Sequence, residues 1–99
     1  MRYRFHTKKL RDLYHHEKGI KKYPAGVVDA FFEVMSIIEA ATDIRDIRNL
    51  KSLHFEKLAG KRKEQSSVRL NDQFRLTLIV TQDEYGNYLL LLAIEDYHK

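Results

Sequence analysis

The chain has no cysteine, which excludes a disulfide framework and a thiolate metal site. No stretch approaches the ~18 consecutive apolar residues of a membrane-spanning helix. The opening residues, MRYRFHTKKL, are basic but lack the apolar segment of a secretory signal. Internal repeats, low-complexity tracts and a linker are missing too. These absences lead us to expect a cytoplasmic protein, with residues 1–99 forming a single domain large enough for one modest core. A metal site is not expected. His15, His16 and Glu17 are adjacent, neighbouring helix positions point about 100° apart, and no histidine follows four residues later. No cofactor is expected either.

What the chain does have is unevenly placed charge. The net charge is +4, but residues 1–24 carry eight Lys/Arg against two acids, and residues 51–75 carry seven against three. Residues 25–50 and 76–99 reverse the balance, with two against five and one against four. Two basic blocks can make a face for a polyanion, although lysine-rich segments also serve simply to solvate a surface.

The apolar pattern divides the chain. Met1–Phe5 alternates as a short strand with Tyr3 and Phe5 on one face. Thr7 suits the cap of a helix carrying Leu10, Leu13 and Tyr14 and ending near Gly19. Pro24 suits the first turn of a second helix, over Ala25–Ala41, with Val27, Val28, Phe31, Val34, Met35, Ile38 and Ala41 on its apolar stripe. Thr42 and Asp43 read as a new cap for a short helix through Ile44 and Ile47. Lys51–Glu64 is too polar and interrupted for a long element. After it the period becomes two: Gln65–Asn71, a turn at Asn71-Asp72, a strand over Phe74–Thr81, and a turn at Gly86-Asn87. Tyr88–Ile94 is apolar throughout, as in a strand buried on both faces and central in its sheet. The expected fold is α+β, with N-terminal helices packed on one face of a small, mainly antiparallel sheet.

Several residues could carry chemistry. If Gln65–Asn71 and Phe74–Thr81 form a hairpin, Arg69 and Arg75 sit on neighbouring strands, with Lys57, Lys61, Arg62 and Lys63 in the loop before them. Guanidinium groups on a rigid sheet suit bidentate phosphate contact, while ordinary cross-strand ion pairs would explain the same arginines. His54 stands in the basic loop, where a surface role is the commoner one. The final apolar run delivers Asp96, Tyr97 and His98 at a sheet edge near Arg75. Imidazole exchanges protons near neutrality, tyrosine can stack on a base, and arginine stabilises charge developing on a phosphate. A solvated polar terminus remains the bland alternative.

The segments LAGKRKEQSSVRLNDQFRLTL and IEDYH, in that order, resemble the HigB-type, plasmid-maintenance killer branch of the RelE/ParE toxin superfamily. The likeness extends to AATDIRDIRNL and so covers nearly the whole chain. It implies a RelE-like fold and the toxin half of a bacterial type II toxin–antitoxin pair. Its expected activity is ribosome-dependent mRNA cleavage, without metal, by attack of a 2′-OH on the scissile phosphate. Arg75 would neutralise that phosphate, His98 would act as acid or base, Tyr97 would stack or transfer a proton, and Asp96 would orient groups or act as base. His54, Lys57, Lys61, Arg62 and Arg69 are the expected RNA or phosphate contacts. The implied partners are a HigA-like helix-turn-helix antitoxin, which allows a toxin–antitoxin heterotetramer, together with the ribosome and its mRNA. Several relatives carry a histidine at the position of Glu56; here His54 lies two residues earlier. The rival readings are a non-enzymatic, ParE-like gyrase inhibitor and a plain RNA-binding domain.

Overall fold

The structure, a computed structural model, describes residues 1–97. Strand β1 (Tyr3–Phe5) is followed by helices α1 (Lys8–His16), α2 (Val27–Ala40) and α3 (Ile44–Arg48). Strands β2 (Glu56–Lys57), β3 (Ser66–Arg69), β4 (Phe74–Asp83) and β5 (Gly86–Asp96) complete the chain, with single 3₁₀ turns at Ile20–Lys22, Lys51–Leu53 and Gly60–Arg62. The sheet order is β1-β5-β4-β3-β2, antiparallel except for the β1–β5 pair. The α+β expectation holds, and no helix among the described residues is long and apolar enough to cross a membrane.

Local chemistry starts and stops the helices. The Thr7 hydroxyl accepts the Leu10 N–H at 3.2 Å, satisfying a first-turn donor of α1. Asp43 caps α3 by accepting the Arg45 N–H at 2.7 Å, and Asp46 reaches back to accept the Thr42 N–H at 2.8 Å. Helix α2 begins at Val27 rather than at Ala25, because Gly26 takes a left-handed conformation (φ 88°) as its cap, leaving Pro24 and Ala25 in the preceding turn. Its residues Phe31, Val34, Met35 and Ile38 form one buried cluster with Leu76 and Leu78 of β4 and Leu89 and Leu91 of β5. That cluster is the core, and it lies on the helix-covered face of the sheet.

Two sequence expectations shift in the β4–β5 hairpin. The turn is Glu84-Tyr85, closed by the Asp83–Gly86 pair, and not Gly86-Asn87. Asp83 fixes it by accepting the Tyr85 N–H at 2.9 Å. Strand β5 is interior, between β1 and β4, yet only Leu89 and Leu91 are fully buried; Tyr88, Leu90, Leu92, Ala93 and Ile94 are half-buried, because helices cover one face only. The register also slips: Thr77 pairs with Ala93 and Leu78 with Leu91, so Leu92 is an extra residue, a β-bulge.

Asp83 ties three strands together. Arg2 donates to its two carboxylate oxygens at 3.0 and 2.7 Å, and Arg4 donates at 2.8 Å. Those donors hold its carboxyl well below the usual range, at about 2, with the Arg2 hydrogen bonds the largest cause. A depressed pKa contributes stability above the unfolded value, near 3.9, and that contribution fades as pH falls through the folded value. Asp83→Asn should therefore lower the urea midpoint at pH 6, and the gap from wild type should close between about pH 4 and pH 2. A gap that stays constant with pH would show that the ion pair is not its source.

Candidate active site

The register of β3, β4 and β5 sets Arg69 opposite Arg75 and Arg75 opposite Glu95. By strand alternation from the buried Leu76, this row faces away from the helices, with Ser67, Thr77 and Ala93 forming the next row. The tight link that aligns β3 with β4 is an Asx turn. Asn71 Oδ1 accepts the N–H groups of Gln73 and Phe74 at 2.9 and 2.7 Å.

Arg75 is held by neutral acceptors. Its Nε donates to Ser67 Oγ at 2.6 Å, and its Nη2 donates to the Ser67 carbonyl at 3.3 Å and to the His54 carbonyl. No carboxylate pairs with it among the described residues, unlike its two neighbours. Arg69 bonds to Asp72 across the turn. Arg62, on the 3₁₀ turn, reaches over β3 and β4 to Glu95, making two contacts of 2.9 and 2.5 Å. It also donates to Gln65 Oε1 at 3.0 and 2.7 Å. The Arg62 guanidinium holds the Glu95 carboxyl below its usual range, with help from the Thr77 hydroxyl. This crossing covers the middle of the helix-free face, where Ser67 and Thr77 are fully buried.

Tyr97 follows Glu95 on the same face by alternation. Its N–H donates to the Gln73 carbonyl at 2.6 Å, which anchors the end of β5 against the start of β4. Its hydroxyl is buried and, among the described residues, makes no hydrogen bond. It lies close enough to Arg62 to add to the raised guanidinium pKa, after the dominant Glu95 hydrogen bond. Asp96 is exposed and accepts from Gln73 Nε2 at 3.1 Å. Its register partner is Phe74, so alternation places it on the other side of the strand from Glu95. His98 lies outside the described residues.

The remaining candidates divide. His54 adopts a left-handed conformation (φ 42°) after the 3₁₀ turn at Lys51–Leu53, and it is the carbonyl of this exposed residue that joins the cluster. Lys57 pairs with Ser66, which pairs with Leu78, so alternation sets it on the helix side of the sheet, away from Arg75. Glu56 pairs with Ser67 and shares the Arg75 face. Lys61 is exposed on the turn that carries Arg62. The structure thus gathers Arg75, Arg62, Arg69, Tyr97 and the His54 backbone, and leaves Lys57 apart. Ser67, Gln65 and Glu95 were not anticipated as working parts. The alternation that puts Ser67 on the face of Arg69 was a signal for the first; nothing local marks the other two. No group of three or more His, Asp or Glu side chains able to hold a metal occurs among the described residues.

Chemically, the cluster offers a rigidly placed positive charge that no carboxylate pairs with among the described residues, on the same face as a phenol sheltered from water. That pairing suits a phosphodiester, whose charge the guanidinium would offset and whose base or ribose the ring would meet.

Comparison with known proteins identifies the family. Residues 3–98 match the family described as the RelE-like toxin HigB of type II toxin–antitoxin systems. The Vibrio cholerae protein named Toxin HigB-1 is 33% identical over 72 residues, covering 73% of this chain and 76% of that protein. A solved structure, the YoeB/ParE toxin from Agrobacterium tumefaciens, shares the fold over 100% of both chains, with a TM-score of 0.59 and 17% identity. The chain belongs to the HigB-like family of RelE-like toxins, proteins that pair with an antitoxin.

Proposed function

We propose that this chain is a ribosome-dependent mRNA endonuclease that halts translation in the cytoplasm. The observation that carries the reading is Arg75, a guanidinium fixed by three neutral contacts, paired with no carboxylate among the described residues, and set on the same sheet face as Tyr97. In the reaction the 2′-oxygen of one nucleotide attacks the adjacent phosphorus and its proton passes to a base. The P–O5′ bond breaks and the leaving oxygen takes a proton, giving a cyclic phosphate and a 5′-hydroxyl. Arg75 offsets the charge on the phosphoryl oxygens. His98 supplies acid or base, Asp96 orients it or serves as base, and the Tyr97 phenol joins the proton transfer. Arg69 and Lys61 meet neighbouring phosphates, and Arg62 does so on release from Glu95; His54 extends the contact surface, whereas Lys57, on the helix side of the sheet, does not. A HigA-like helix-turn-helix antitoxin is the cognate partner, and the pair assembles as a heterotetramer.

The test uses the purified chain, ribosomes programmed with a reporter mRNA, and primer extension. Cleavage should appear only with ribosomes present, and His98→Ala should slow it about 10²–10⁴-fold. Intact mRNA together with DNA damage in arrested cells would sink the proposal in favour of gyrase poisoning.

A further inference from the structure

Strand β4 runs for ten residues, Phe74–Asp83, and pairs with β5 along its whole length. On its other side, β3 pairs only with Arg75–Leu78. The Leu70 N–H bonds to the Phe74 carbonyl on the β3 side, and the Tyr97 N–H bonds to the Gln73 carbonyl on the β5 side. Backbone direction alternates along a strand, so the even-numbered residues of β4 face β3. The N–H and C=O groups of Val80 and Gln82 therefore point off the sheet edge, past the end of β3. No partner for them occurs among the described residues.

This edge opens into a groove of about 890 Å³. Phe55 and Ile79 give it an apolar lining, and Arg48, Lys57 and Lys63 set three cations around it against one acid, Glu64. Arg48 lies over the Phe55 ring, 5.4 Å from its centroid. The groove belongs to the edge of the sheet, and its Lys57 is the residue the register turns away from Arg75.

We propose that this edge is a docking site for an extended, acidic segment of a protein partner, which adds as a strand beside Val80 and Gln82. The family's antitoxin is the partner to which we assign the segment. Two free donors and two free acceptors alternate along the edge at strand spacing, the pattern another polypeptide backbone completes. An RNA backbone presents mainly acceptors to a basic groove, and its 2′-hydroxyl donors do not recur with the paired donor-and-acceptor spacing of Val80 and Gln82. Acidic side chains on the added strand answer Arg48, Lys57 and Lys63, and its apolar side chains meet Phe55 and Ile79. The inference does not depend on RNA cleavage.

The test is amide hydrogen exchange on the full-length chain, read residue by residue by NMR. The probe is a blocked hexapeptide alternating glutamate and valine, with a lysine–valine hexapeptide and hexauridylate as controls. The acidic peptide should slow exchange at Val80 and Gln82 roughly tenfold, saturating near or below about 1 mM. The effect should vanish in Lys57→Glu/Lys63→Glu. It should also vanish in Gln82→Pro, read at Val80. Gln82 is exposed and its N–H faces away from β5, so that change leaves the β4–β5 ladder intact. Lysines can also guard an edge against any added strand. Rejection of both peptides would therefore overturn the proposal, as would equal protection by the lysine peptide or protection of the same amides by hexauridylate.

Discussion

If the chain cleaves mRNA as proposed, Arg75→Ala should lower that cleavage by about 10²–10³-fold, the scale set by losing one preorganised donor to a charged transition state. Preorganisation is the point. Ser67 and the His54 carbonyl already fix the guanidinium in the free protein, so the proposed reaction would need little reorganisation there. The same contacts give a second expectation. Alanine leaves the Ser67 and His54 carbonyls without this donor, and about 1–3 kcal/mol of stability goes with it. Activity must therefore be compared at a temperature where both proteins are folded, as judged by circular dichroism. Arg75→Lys keeps the charge but not the planar fork that meets Ser67 and His54 together. It should recover only part of the rate. Wild-type cleavage by a folded Arg75→Ala protein would remove the residue from the mechanism.

Tyr97→Phe should separate stability from activity. The hydroxyl is buried with no well-formed hydrogen bond among the described residues, the Arg62 guanidinium being its polar neighbour, so removing it costs at most a weak contact and relieves a poorly satisfied polar group. The unfolding free energy should stay level or rise, by up to about 1 kcal/mol. Cleavage should nonetheless fall about 10²–10⁴-fold if the phenol moves a proton. An unchanged rate would assign Tyr97 to stacking alone, a role the phenylalanine ring also fills. Tyr97→Ala, which removes ring and hydroxyl, should lose cleavage in either case.

Much of the scaffold could be read from local pattern. Thr7 and Asp43 cap as their side chains dictate, and the hydrophobic spacing of Phe31, Val34, Met35 and Ile38 marks the buried face of α2. Alternation through Arg69 and Arg75 with a turn at Asn71-Asp72 placed the two arginines side by side. The parts not legible depend on contacts distant in sequence. Arg62 and Glu95 are 33 positions apart, and neither residue's neighbours announce the pairing. Thr77, two residues from Arg75 on the same alternating face, is fully buried beneath that crossing, which strand alternation alone does not announce. Gly86 looked like the centre of a turn, but with φ 114° it closes the hairpin while Asp83 organises the turn itself. Lys57 owes its side of the sheet to a two-residue strand too short to show a period.

The extra residue at Leu92 makes the tail's chemistry a matter of parity. Before it, the odd-numbered Leu89 and Leu91 fill the core; after it, the odd-numbered Ala93 and Glu95 pair into the rows of Thr77 and Arg75 on the opposite face. Tyr97 follows them by alternation, while Ile94 takes over the inward position opposite Leu76. A perfectly regular strand would bury the carboxylate that grips Arg62 and turn the phenol inward. A chain shortened by one residue at this point would keep its hairpin and almost all of its core, and would turn Glu95 and Tyr97 away from Arg62 and Arg75.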